Sequence, residues 1–291
     1  MTILLTLSAS ALAGDAKIVG GTEAGSAWPE VAALLQGGEA VCTGVLIAPD
    51  VVLSAGHCGK RIDQVHLKAE SLSGPGETLG VREVVRYPQH YTTYDLEVLL
   101  LDRESSVTPA TIAQDCVLDE LVDGASATIV GYGAVDKRGS EYVDELQHAQ
   151  VQVTDPDCQA TERGCMEEVS PGGELGAGGD GTDTCYGDSG GPIFLNTGDG
   201  DFLVGITSRG WDDVTVDCGQ GGIYVRPDAV LSWLEEAGGW DLAQPDCGSG
   251  GTAAEPTEDG PLPVGGCAVT PASPWALGFL MPLVLWGRRR S

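Results

Sequence analysis

Apolar residues along the middle of the chain come in short runs, each broken within a few positions by glycine, proline or another turn former. Runs of that length predict strands joined by loops. The 43 glycines and 16 prolines point the same way, because both residues punctuate regular structure. One segment differs. From Pro227 to Ala237 the apolar residues Val230, Trp233, Leu234 and Ala237 recur at helical spacing behind Asp228, a residue suited to cap a helix N-terminus. The pattern predicts an all-β chain with a C-terminal helix.

The two ends depart from this pattern. Residues 1–13, MTILLTLSASALA, form an apolar run that finishes on Ala11, Leu12 and Ala13, the small-residue site of an export signal. Export is the expectation. Residues 248–266 are rich in Gly, Pro and Thr, show no periodicity and read as a flexible linker. Beyond it lie Cys267, an apolar run from Trp275 to Trp286, and Arg288, Arg289 and Arg290. That run is shorter than the roughly 20 residues that span a bilayer core, and Pro282 interrupts it. The order Gly-Gly-Cys, apolar segment and basic cluster resembles a myxosortase-type sorting tail over residues 267–291. That resemblance implies a sorting protease acting near Cys267 and tethering at the outer cell surface.

A length of 291 residues and a 42% hydrophobic content allow one large domain with a sizeable core. The formal net charge of -28 excludes nucleic acid as a natural partner and favours basic ligands. Nine cysteines in an exported chain imply disulfides, with one cysteine left over.

Four separated segments carry candidate chemistry. They are Ile18-Val19-Gly20-Gly21 directly after Lys17, Ser54-Ala55-Gly56-His57-Cys58, Asp95 ahead of the apolar run Val98-Leu99-Leu100-Leu101, and Asp183-Thr184-Cys185-Tyr186-Gly187-Asp188-Ser189-Gly190-Gly191-Pro192. A serine hydroxyl attacks an amide at neutral pH only if a neighbour takes its proton, and histidine has the pKa for that task. A buried carboxylate then fixes the imidazole tautomer. In the order His, Asp, Ser, the segments resemble the trypsin-like branch of the chymotrypsin family of serine peptidases over residues 18 to about 240.

The resemblance implies two six-stranded antiparallel β-barrels with a C-terminal helix, a catalytic triad of His57, Asp95 and Ser189, and an oxyanion hole from the N–H groups of Gly187 and Ser189. It divides the chain into a signal peptide (1–13), a propeptide (14–17), a peptidase domain (18–247), the linker (248–266) and the tail (267–291). Cleavage after Lys17 would free the Ile18 amino group to pair with Asp188. Asp183 would form the floor of the primary pocket and select Arg or Lys, with Gly210 and Gly222 as its walls and Ser208 supporting the triad. The implied partners are basic protein or peptide substrates, protein inhibitors and the sorting protease. A monomer without cofactor or metal is expected. An inactive, surface-displayed binding module on the same fold is the alternative.

Several residues depart from the family pattern. Arg209 stands where tryptophan is usual and could partly neutralise Asp183. Glu97, on the same strand face as Asp95, needs either a partner or solvent. Asp212, Asp213 and Asp217 make the pocket rim acidic. The family would pair Cys42 with Cys58 and Cys185 with Cys218, leaving Cys116, Cys158, Cys165 and Cys247 with three possible pairings. The family partner of Cys158 would lie near Gly176, which is no cysteine. The expectation is therefore Cys158 with Cys165 and Cys116 with Cys247. Glu70 and Glu77 span a loop that binds calcium in some relatives. They and the glycine-rich stretch from Pro171 to Asp183 read as solvated loops.

Overall fold

The computed structural model describes residues 18–245 and Cys247, with the exception of Lys60. The export signal, the propeptide with Lys17, the linker and the tail with Cys267 lie outside the described residues.

Thirteen strands and one helix follow in chain order: β1 (Thr22–Glu23), β2 (Val31–Gln36), β3 (Glu39–Ala48), β4 (Val51–Ser54), β5 (Gln64–Leu67), β6 (Glu77–Arg86), β7 (Glu97–Leu101), β8 (Ser126–Gly131), β9 (Gln147–Asp155), β10 (Glu174–Ala177), β11 (Pro192–Thr197), β12 (Gly200–Gly210), β13 (Gly222–Val225) and α1 (Leu231–Gly238). The first barrel closes in the order β2-β3-β4-β7-β6-β5. The second runs β9-β10-β13-β12-β11-β8 and closes through β8 and β9, with β1 added at the edge. All these pairings are antiparallel, as the resemblance implied.

The apolar runs are continuous because several strands are buried on both faces. In β7, Leu99 and Leu101 fill the first barrel, while Val98 and Leu100 join a core shared with Phe194, Leu203 and Val225 of the second. Strand β4 divides the same way, Val52 inward and Val51 and Leu53 outward. Strand β9, QHAQVQVTD, has one wet face and alternates accordingly. A buried Leu or Val contributes about 1.5–3 kcal/mol, so two-sided strands make this shared layer a main cohesive term.

Two sequence expectations are corrected here. Glu174–Ala177, within the stretch read as a solvated loop, is the buried strand β10. Its signal is weak because Gly176 must leave room for an indole: a Cβ there would lie 2.3 Å from Trp211. The C-terminal helix begins later than Asp228 suggested, with Pro227–Val230 in a 3-10 turn and no side-chain cap. Asp228 instead accepts two hydrogen bonds from Arg226, at 3.1 and 2.8 Å. Val230 and Leu234 are buried, and Trp233 meets Tyr87 edge-on at 5.0 Å, so the segment packs onto the first barrel.

Four disulfides form: Cys42–Cys58, Cys116–Cys247, Cys158–Cys165 and Cys185–Cys218. Among the described residues no helix is long and apolar enough to cross a membrane.

Candidate active site

Strand register brings His57 and Asp95 together. Ser54 at the end of β4 sits opposite Glu97 at the start of β7, so the segments carrying the histidine and the aspartate leave the same end of the first barrel. Asp95 accepts hydrogen bonds from the His57 amide at 2.9 Å and from Ser208 Oγ at 2.7 Å, and its Oδ2 lies 2.7 Å from His57 Nδ1. Burial pushes the Asp95 carboxyl up, but His57 and Ser208 outweigh it and hold the group below its usual value. Burial likewise opposes charge on His57, but the hydrogen bond and charge of Asp95 prevail and raise its pKa. Nδ1 is thereby committed to Asp95, which leaves Nε2 for chemistry.

Ser189 lies in the turn before β11 of the second barrel and shares one cleft with His57, a cavity of about 270 Å³. That turn is tied to the first barrel by Thr43 of β3. Its amide donates to Ser189 O at 2.9 Å, and its hydroxyl donates to Gly187 O at 2.9 Å. Ser54 Oγ in turn donates to Thr43 O at 2.9 Å. Sequence reasoning missed Thr43; its adjacency to Cys42 was the available signal. Gly187 has φ +94°, a region costly for residues with a Cβ. The neighbouring amides of Asp188, Gly190 and Gly191 are spent on Cys185, Thr207 and Asp188 oxygens.

Asp183 is 3% exposed and accepts from the amides of Thr184, Gly219 and Gly221 at 2.8, 3.1 and 2.9 Å. Burial nevertheless dominates and pushes its carboxyl up to about 6. Gly210 lines the cleft with Thr184, Cys185 and Cys218, and exposed Asp217 stands on its rim. Gly222 pairs with Gly210 across β12 and β13, and a Cβ on it would lie 3.5 Å from Asp183. The other two acids expected on the rim, Asp212 and Asp213, do not line the cleft; both are exposed, and Asp213 pairs with Arg163 at 3.2 Å.

Asp188 is fully buried and accepts from the amides of Gly133 and Cys185 at 2.7 and 2.8 Å; burial pushes it up to about 7. Ile18 is also fully buried, in the core of the second barrel, and Val19 O accepts the Asp183 amide at 3.0 Å.

Arg209 does not neutralise Asp183 as its position suggested. Its guanidinium grips Glu174 at 2.8 and 2.9 Å, and that carboxylate is 1% exposed. A buried acid on β10 attracts the guanidinium more strongly than a carboxylate already held by backbone amides. Glu97 is buried and takes Arg86 as partner at 3.1 Å. Glu77 is taken by Arg103, Ser105 and Ser106; these donors outweigh its slight burial and hold it down to about 2. Among the described residues no cluster of His, Cys, Asp and Glu has metal-binding geometry.

The arrangement brings a serine and a histidine oriented by a carboxylate into one cleft, with the exposed Asp217 at its edge. Comparison with known proteins agrees. Residues 18–234 match the family model described as Trypsin. Human Kallikrein-8 is 31% identical over 77% of this chain and 87% of its own length, and Trypsin of Saccharopolyspora erythraea is 32% identical over 71% and 90%. The solved structure of neuropsin, a serine protease expressed in the limbic system of mouse brain, superposes with a TM-score of 0.63 at 29% identity, covering 74% of this chain and 97% of that one. With the family model spanning most of the chain and both barrels in place, this chain belongs to the trypsin family and is a trypsin-like serine endopeptidase.

Proposed function

We propose that the enzyme cleaves peptide bonds after Arg or Lys, with His57, Asp95 and Ser189 as its triad. Ser189 Oγ attacks the carbonyl carbon while His57 Nε2 takes its proton; the carbonyl electrons move to oxygen, where the N–H groups of Gly187 and Ser189 stabilise them. His57 then protonates the leaving amine as the C–N bond breaks. Water, deprotonated by the same imidazole, releases the acyl group from Ser189.

The observation that carries the specificity is Asp183, a buried carboxylate next in the chain to Thr184, which lines the cleft together with Gly210, a residue without a side chain. A cationic substrate side chain is the natural counter-charge there. Hydrolysis of paired peptide amides, one with Arg and one with Phe before the cut bond, tests this, using protein that begins at Ile18 and Ser189→Ala as control. The expected result is Arg cleavage that greatly exceeds Phe cleavage and vanishes in the control. The Arg-to-Phe ratio should fall as pH drops through about 6, because Asp183 takes up a proton there whereas His57 affects both peptides alike. A ratio unchanged in Asp183→Ser sinks the pocket assignment.

Activation follows cleavage after Lys17. Burial of Ile18 in the second barrel supports this, as does the raised pKa of Asp188, a carboxylate that an ammonium partner would stabilise. The φ of Ile18, +46°, is costly for a β-branched residue, and cutting the preceding bond removes the constraint. A Lys17→Gln chain should retain its propeptide and remain inactive; full activity with the propeptide attached overturns the scheme. Export through residues 1–13 and tethering through the Cys267 tail complete the reading. Replacing Cys267 by Ala should release the enzyme from the cell surface into the medium, and unchanged surface retention argues against tethering.

A further inference from the structure

Asp95 belongs to the first barrel, but one of the groups that bond its carboxylate comes from the second. Ser208, on β12, donates its hydroxyl to Asp95 Oδ2 at 2.7 Å, and the same oxygen lies 2.7 Å from His57 Nδ1. A hydroxyl has one proton and two lone pairs and rotates to suit its neighbours, so the groups around Ser208 Oγ decide where that proton points.

The neighbour that decides is Arg209. Its Nη1 lies 3.2 Å from Ser208 Oγ. A guanidinium only donates, so Arg209 fills a lone pair of the Ser208 oxygen and leaves the hydroxyl proton to Asp95. The guanidinium is itself held fast. Nε and Nη2 donate to Gly164 O at 3.2 and 2.7 Å, while Nη1 and Nη2 grip the two oxygens of Glu174 at 2.8 and 2.9 Å. Glu174 is 1% exposed, and its Oε2 also accepts the Met166 amide at 2.8 Å. A planar fork with every edge position taken cannot turn without breaking several of these bonds.

The bonds therefore run without a gap from Glu174 on buried β10 through Arg209, Ser208 and Asp95 to the imidazole of His57, and each link sets the direction of the next. We propose that Arg209, held by Glu174, is a positioning residue for the triad: it keeps the Ser208 hydroxyl aimed at Asp95 and, through Asp95, the orientation of the His57 ring. This rests on the triad assignment given above. A bare positive charge in the same place would act on His57 through space but would leave the Ser208 hydroxyl freer to turn. Arg209→Lys makes that change, since it keeps the charge and loses the fork.

The test is NMR titration of His57 in the full chain processed to begin at Ile18, carrying Ser189→Ala to prevent self-digestion. The chain has four histidines, and His57→Ala assigns the resonance. The charges that act on His57 are those of Asp95, Glu97 and Arg209, with His90 beside it, and Arg209→Lys leaves the sign of each unchanged. The His57 midpoint should nevertheless rise by about half a pH unit, because Asp95 loses a fixed donor and leans harder on the imidazole. Ser208→Ala should raise it by a similar amount, and the double variant by no more than either alone. In the active chain, Arg209→Lys should lower kcat on an N-blocked arginine amide about three- to tenfold with KM unchanged.

A His57 midpoint unmoved in Arg209→Lys overturns the proposal, as do shifts that add in the double variant or a rise in KM with kcat intact. Ser208→Ala keeps the proposal open to failure if the Arg209 variant does not fold, since an unmoved midpoint there leaves Arg209 nothing to act through. The titration needs no cleavage. An arginine amide left uncut by the wild-type enzyme therefore counts against the triad and pocket assignments, while the midpoints still decide the role of Arg209.

Discussion

Among the described residues, each barrel pairs an arginine with a buried glutamate, Arg86 with Glu97 and Arg209 with Glu174, and the two pairs are built differently. Glu174 receives two parallel bonds from Arg209 and a third from the Met166 amide. Glu97 receives one, from Arg86 Nε, and among the described residues its buried Oε1 accepts no well-formed hydrogen bond. Burial therefore pushes Glu97 up to about 7, with Arg86 and the nearby Gly59 amide opposing it only in part. The difference comes from position. Glu97 shares a strand face with Leu99 and Leu101, which fill the first barrel, and Arg86 lies directly opposite it in the ladder. Glu174 reaches Arg209 across the intervening strand β13 and meets the guanidinium edge-on. A buried carboxylate stays comfortably ionised where a full set of donors surrounds it; a single donor leaves much of the desolvation cost in place.

The largest effect should come from breaking the better-made pair. Glu174→Ala strands a guanidinium and unpins residues 164–166, and it should cost about 3–5 kcal/mol in urea unfolding. Glu97→Gln should cost far less at pH 7, because the carboxylate it replaces is already poorly solvated. Equal losses would erase the distinction between the pairs.

A second effect sharpens it. The folded-state pKa of Glu97 lies above its unfolded value, so the folded protein holds that proton more tightly and loses stability as pH rises from about 4.5 through about 7. Asp183 and Asp188 slope the same way. Subtracting the stability profile of Glu97→Gln isolates Glu97, and the difference should grow with pH to a ceiling on the order of 3 kcal/mol. A difference that is flat between pH 4 and 8 shows that Glu97 keeps an ordinary pKa.

The smallest effect falls on catalysis. The charge of Glu97 raises the pKa of His57 and that of Arg209 lowers it. Removing each should move the acid limb of kcat/KM in opposite directions, down in Glu97→Gln and up in Arg209→Gln, by less than about one pH unit. Shifts of the same sign would show that both act through distortion of the site and not through charge.

Much of the site was legible because its chemistry is written in contiguous segments. His57 lies between Gly56 and Cys58, Ser189 between Asp188 and Gly190, and Asp183 opens that same segment. The strands were legible as apolar runs, although not the reason for their continuity, the layer between the barrels. The Gly176 strand was hidden because it makes space for Trp211 instead of filling it. Asp228 misled because its neighbour Arg226 outcompeted the helix amides for its carboxylate. Thr43 was missed as a support of Ser189, since its contacts span a long sequence distance and only its adjacency to Cys42 hinted at them.

The sequence by itself determined the strand-rich fold, the family and the identity of the residues around the cleft, because reaction chemistry and turn geometry demand particular residue types at short spacing. Only the tertiary structure decided where the extra charges went: Arg209 to Glu174, Glu97 to Arg86 and Glu77 to Arg103. Ion-pair partners are chosen by proximity and shared burial across strands far apart in the chain. Those quantities exist only after the barrels have closed.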